Sequence, residues 1–170
     1  MARRIGSAAL GVLLLSGSCW SQTFTGSGFS FEMPLNWYGG KLDGEKVEYA
    51  FSPVSKGKLD SRLSLQSFPG RNRTLRGMAM QAKHSVYMDL GGFVLKEREL
   101  QLDGSPAVEI QYRVGDSLKN EIFCRVMSLH KDRLYIIQAV FPAEEEAQAL
   151  QGLLQTFRWA DEKETIGYNE

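Results

Sequence analysis

The chain's two histidines, its two cysteines and its grouped carboxylates are the side chains that could move protons, attack a carbonyl or hold a metal. General acid or base catalysis needs such a group in a pocket with a shifted pKa. His84 falls on the polar side of a predicted helix and His130 adjoins a Lys131-Asp132 turn, so solvent exposure accounts for both. Glu97, Glu99 and Glu109 could form a carboxylate pair across adjacent strands, but nothing in the sequence supplies a pocket around them. Glu144, Glu145 and Glu146 open a predicted helix, where the backbone dipole favours negative charge. A calcium site needs oxygens converging from a loop instead. The chain contains no Gly-x-Ser-x-Gly elbow, no His-Glu-x-x-His helix, no phosphate-binding P-loop and no Cys-x-x-Cys pair. We therefore expect no catalytic residue, no metal site and no cofactor.

Two groups of residues suit binding better than chemistry. Arg71, Arg73, Arg76, Lys83 and His84 form a candidate interaction patch for an anionic partner or headgroup, set against the simpler reading of a solvated helix face. Met78, Met80 and Met88 could offer an adaptable surface for a lipid between a helix and a sheet, although methionines at such spacing also serve as core filler.

Compartment follows from the N-terminus. Arg3 and Arg4, the apolar run Ile5 to Leu15 and the small residues Ser16-Gly17-Ser18 read as a secretory signal over 1–21, too short to span a membrane, which takes about 18 apolar residues. Leu15-Ser16-Gly17-Ser18-Cys19 approaches a bacterial lipobox, with its leucine one residue too far from the cysteine, so Cys19 is a candidate for lipidation. Export to the periplasm or beyond, with or without a lipid anchor, is the expectation. Arg3 and Arg4 are two of 20 basic residues against 20 acidic ones, so their removal leaves a net charge of about −2 and argues against a nucleic-acid partner. Cys124 lies in an apolar strand pattern and reads as a buried free thiol.

The mature chain reads as one domain over 22–160 with a loose polar tail at 161–170. Phe29, Phe31 and Met33 alternate with Ser30 and Glu32 until Pro34 stops the ladder, and Trp37 is expected to fold back over the end of the sheet. Phe24 sits in a short lead that would pair with this strand. A Gly-Lys-Asp-rich loop is expected after Trp37, then strands ending at Pro53 and Pro69 around a polar hairpin loop from Ser55 to Ser61. Leu75, Met78, Ala79, Ala82, Val86 and Leu90 keep helical spacing, with Thr74 as N-cap and Gly91-Gly92 as stop. Four strands follow. Asp103-Gly104 turns the first pair, and Val108, Ile110, Tyr112 and Val114 give the second a one-sided pattern with Glu109 outward. Leu134 to Phe141 is apolar on both faces apart from Gln138 and should be central. A closing helix carries Ala147, Leu150, Leu153, Leu154 and Phe157.

Gly28-Phe29-Ser30-Phe31 ending in Pro34 and Trp37, Leu102-Asp103-Gly104-Ser105-Pro106-Ala107, and Leu153-Leu154-Gln155-Thr156-Phe157-Arg158 resemble, in this order, the opening, mid-chain turn and closing helix of the PsbP-like superfamily, which includes the DcrB-like domains. The resemblance implies an α+β fold, an antiparallel β-sheet flanked by helices in an α/β/α sandwich. It also implies a role without chemistry, in which an exported domain binds a protein or envelope component. Its recurrent residues are architectural and carry no catalytic positions. A carrier or chaperone for a lipid or hydrophobic segment is the alternative, and a metal-dependent enzyme comes third.

Overall fold

Alternating apolar residues, stopped by proline or turned by glycine and aspartate, set out most of the strands. The computed structural model describes residues 20–34, 37–42, 49–53, 62–114, 121–141 and 147–160. Residues 1–19 of the expected 1–21 signal segment, Cys19 among them, the 55–61 loop, Glu144 to Glu146 and the 161–170 tail lie outside these residues.

β1 (Trp20–Gly26) and β2 (Phe29–Pro34) form an antiparallel pair, as the short lead before Phe29 predicts. β2 also pairs with the two-residue β10 (Arg158–Trp159), closing a three-stranded sheet in the order β1-β2-β10. The large sheet has seven antiparallel strands in the order β3-β4-β5-β9-β8-β7-β6. They are β3 (Trp37–Lys41), β4 (Tyr49–Pro53), β5 (Arg62–Pro69), β6 (Phe93–Leu102), β7 (Ser105–Arg113), β8 (Ile122–His130) and β9 (Arg133–Phe141). β9 is the middle strand, as a strand apolar on both faces requires. β3 corrects the loop expected after Trp37. Glycines at 39 and 40 weaken its strand propensity, yet it pairs along its whole length with β4, and Trp37 opens it while packing on the core.

Two helices complete an α+β fold that is mostly antiparallel sheet: α1 (Leu75–Met88) and α2 (Ala147–Thr156). Because side chains alternate across a strand, neighbouring residues of β8 enter different cores. Val126 joins a cluster with α2 and β2, while Met127 joins one with α1. The α2 cluster is rich in aromatic rings. Phe24 packs edge-on against Phe51 at 4.7 Å between centroids, and Phe29 stacks on Phe157 at 5.7 Å. The α1 cluster is smaller and mostly aliphatic, with Met78, Ala79, Ala82 and Val86 of α1 on a sheet face where Tyr112 stacks on Phe123. Leu90, expected on the same apolar face, is exposed because α1 ends at Met88 and the chain turns away at Gly91, whose φ is +57°. The turn must come close to β7: a Cβ on Gly92 would stand 2.2 Å from the Arg113 carbonyl oxygen.

The two cores also correct the one-sided reading of β7. Val108, Ile110 and Tyr112 share one buried face, as expected, and it is the face toward α1, but Ala107 and Glu109 are buried as well, on the α2 side. Alternation of apolar and polar residues normally marks a wet face, and here the polar residue goes inside with an ion-pair partner.

Candidate functional site

Thr74 caps α1 as its sequence position predicts, its Oγ1 accepting a hydrogen bond from the Gly77 amide at 3.1 Å. The chain entering the helix is held to the β8–β9 turn, where the Gly70 amide donates to the Asp132 carbonyl at 2.7 Å. Fixed at that end, α1 lies over β6, β7 and β8. Among the described residues β6 is the last strand of the sheet, and between it and α1 runs an open groove of about 960 Å³.

One wall comes from α1: Leu75, Ala79 and Met80, with Arg76 and Lys83 at the rim. The floor is the α1-facing side of β6 and β7, with Glu97, Glu99 and Gln101 beside Pro106 and Val108. Lys83 Nζ donates to Glu97 at 2.7 Å, a half-exposed ion pair worth little to stability. Met80 leaves 60% of its surface in solvent. Met78, two residues earlier and so on the opposite side of α1, is core. Met88 is exposed beyond the groove.

The groove divides the basic patch suggested by the sequence. Arg76 and Lys83 line it; Arg71, Arg73 and His84 are exposed outside it. Lys83 is already paired, so the patch is less cationic than the residue types imply.

The three glutamates do not converge. Glu97 and Glu99 lie on the α1 side, whereas Glu109, opposite Arg98 in the β6–β7 register, points beneath α2. Its carboxylate is only 1% exposed and accepts from Arg98 Nε at 2.5 Å and from Gln111 Nε2 at 2.6 Å; Gln151 of α2 contacts both Glu109 and Arg98. A buried carboxylate with these donors is a satisfied structural anion, so the cross-strand acid pair is excluded. Nearby, burial pushes the Cys124 thiol up to about 12, with the Glu109 charge adding to the rise and Arg98 opposing it. The free thiol is fully buried, as its strand pattern predicts, and unreactive at neutral pH.

His130 is not the exposed turn residue that its neighbours suggest. Its ring stacks on Trp159 at 4.2 Å with 4° between planes, and Nδ1 lies 2.9 Å from Ser105 Oγ. The Trp159 amide donates to Asp103 Oδ2 and its indole Nε1–H to the Leu102 carbonyl, each at 2.9 Å. This corner fastens β10 to the two hairpin turns. Both turns have left-handed backbone: Asp103 and Gly104 at φ 44° and 79°, Lys131 and Asp132 at 44° and 58°. The type I′ geometry that Asp-Gly predicts thus also brings Asp103 to Trp159. Asp103 and Ser105 flank a recognisable turn, but β10, two residues long, has no periodicity to announce that it would meet them.

Among the described residues no group of three His, Cys, Asp or Glu side chains could hold a metal ion, and no helix is long and apolar enough to cross a membrane. No protein-family model and no curated protein sequence matches the chain. Solved structures do. Cyanobacterial PsbP (CyanoP) from Synechocystis sp. PCC 6803 aligns over 90% of this chain and 100% of its own, with a TM-score of 0.63 at 16% identity. A protein from Bacteroides thetaiotaomicron aligns over 85% of this chain with a TM-score of 0.60 at 12% identity, this chain spanning half of its length. LpqN, involved in cell envelope biogenesis of Mycobacterium tuberculosis, aligns over 78% of this chain and 83% of its own, with a TM-score of 0.58 at 9% identity. The fold is PsbP-like, as the sequence motifs predict. At these identities the likeness establishes the fold.

Proposed function

We propose that this protein is an exported accessory domain of the cell envelope that binds a protein partner without chemistry, in the layered α/β/α arrangement of the PsbP-like fold, and that the groove between α1 and β6 is its contact surface. The observation that carries the reading is the groove itself. Among the described residues it combines an apolar wall, charges at Arg76 and Glu99 without an ion pair, and a strand edge without a neighbour, while the buried Glu109 is consumed in an ion pair. LpqN's part in envelope biogenesis and the PsbP-like fold support an envelope role. Tethering through a lipid on Cys19 would hold such a domain at a membrane surface.

Site-specific photo-crosslinking in the native envelope tests it. A crosslinker at Met80 should give one discrete protein adduct, and the same group at exposed Gln155 of α2 should give none. Equal labelling at both positions would count against the groove, and intact mass of the N-terminus on the same sample decides whether Cys19 carries lipid.

A lipid or hydrophobic-segment carrier is the second reading, favoured by the exposure of Met80 on a wall shared with Leu75 and Ala79. Native mass spectrometry of protein from its own host separates the two, since a clean apo mass under gentle conditions rejects the carrier.

A further inference from the structure

β6 pairs with β7 on one side, and among the described residues the sheet order ends there, so its outer edge offers backbone donors and acceptors without a strand partner among them. After a bulge at Leu95, residues 96–102 run in regular register, with Phe93 and Leu95 exposed just before them at 48% and 44%. The side chains along this edge sort by sign. Lys96 and Arg98 face the α2 side, and Glu97 and Glu99 the α1 side, above the groove floor. Arg98 and Glu97 have intramolecular partners in Glu109 and Lys83, while Lys96 and Glu99 have no ion pair among the described residues.

This arrangement decides against a second copy of the chain. Two β6 edges joined antiparallel about a two-fold axis keep each sheet face continuous, so a residue can meet only residues an even number of positions away. Within residues 96–102, Lys96 of one copy would meet only Lys96, Arg98, Leu100 or Leu102 of the other, and Glu97 only Glu97, Glu99 or Gln101, so no register opposes unlike charges. Directly opposed like charges destabilise a strand pair. An unattached strand has no such constraint, because it can present either face.

We infer that the outer edge of β6 binds an extended segment of a partner protein by strand addition, the segment alternating basic residues over Glu97 and Glu99 with acidic residues over Lys96 and Arg98. Backbone hydrogen bonds supply the affinity, and the alternating charges select register and partner. On the groove side the aliphatic stems of the basic residues rest against Leu75, Ala79 and Met80. The inference rests on the binding reading above and names the chemistry of its occupant.

Freed from its sheet, the sequence of residues 95–101 is itself such a complement. Laid antiparallel on β6, the peptide Leu-Lys-Glu-Arg-Glu-Leu-Gln puts lysine over Glu99, glutamate over Arg98, arginine over Glu97 and glutamate over Lys96. The rearranged peptide Leu-Lys-Arg-Glu-Glu-Leu-Gln has the same composition but opposes like charges at two of the four positions. Hydrogen exchange of the full chain with each peptide is the test. The first should slow exchange across 96–102 without affecting β3 and bind about tenfold more tightly than the second, the difference expected from two reversed cross-strand pairs. Glu97→Lys should erase the preference and Glu97→Gln should reduce it, because the two peptides differ only over Arg98 and Glu97. Glu97 is exposed, so an unchanged melting curve certifies the fold. Equal protection by the two peptides, protection at β3, or none at millimolar peptide overturns the inference. So does concentration-dependent protection of β6 by the chain alone, which would identify a second copy as the occupant. Failure here with a discrete adduct at Met80 would leave the groove in use by something other than an added strand; failure of both removes the binding reading as well.

Discussion

The two faces of the seven-stranded sheet are built for different ends. Against α2 and β2 the sheet carries large rings in mutual contact, among them Phe29, Phe31, Phe51, Tyr135 and Phe157, and the polar groups there are closed into the Arg98–Glu109–Gln151 network or the Trp159 corner. Against α1 the contacts are mostly aliphatic, with Tyr112 stacked on Phe123, and the helix leaves an open groove with free charges beside the outer edge of β6. Stability is concentrated on the first face and unused binding capacity on the second. A ring deep in a packed core has no surface to offer, and a half-exposed methionine has little stability to lose.

That contrast can be broken from its strong end. Phe29→Ala should cost about 3–5 kcal/mol, since the ring is fully buried among Phe24, Phe31, Tyr49 and Phe157, and chemical denaturation should register it as a lower midpoint. A loss below about 1 kcal/mol would mean the aromatic face is not the main core. Glu109→Ala should cost about 1–3 kcal/mol, less than for a wholly buried pair because Arg98 can turn toward water. Glu109→Gln should recover part of this by keeping the bond to Arg98.

The Cys124 thiol gives a pH signature of the same face. Its folded pKa, about 12, is above the ordinary 9.0, so between these values the unfolded chain loses a proton that the folded chain keeps. The thiol's contribution is full below pH 9.0, falls by up to about 1.4 kcal/mol per pH unit above it, and is gone past the folded value. The difference in denaturant midpoint between the native chain and Cys124→Ala should therefore shrink or change sign over that window and stay constant below it.

On the other face the effects diminish. Thr74→Ala removes the α1 cap and should cost about 1 kcal/mol. Met80→Ala and Glu99→Gln should each change stability by less than about 0.5 kcal/mol, as exposed substitutions do, while weakening partner binding. A large stability loss from either would show that the groove is part of the core.

What could be read from the sequence follows the same division. The aromatic strand Phe29 to Met33, the capped α1, the Asp-Gly turn and the Leu/Phe helix were legible because each advertises itself by local period or turn chemistry. Glu109 was misread because alternation reports which residues share a face, and only the position of α2 decides whether that face is wet. His130 was misread for a similar reason: its neighbours in sequence are a polar turn, but its neighbour in space is Trp159, delivered by a strand too short to have a pattern. The groove was half legible. Met80, Arg76 and Lys83 were singled out by type, but the open edge of β6 and the free Glu99 depend on strand order, which no local signal encodes.

Hydrogen exchange of the chain, free in solution and mixed with an envelope fraction from its own host, puts the division of labour to the most direct test. Binding should slow exchange across α1 from 75 to 83 and across β6 from 96 to 102, and leave β2 from 29 to 33 unchanged. Protection centred on β2 and α2, with α1 and β6 exchanging as they do in the free protein, would contradict the account.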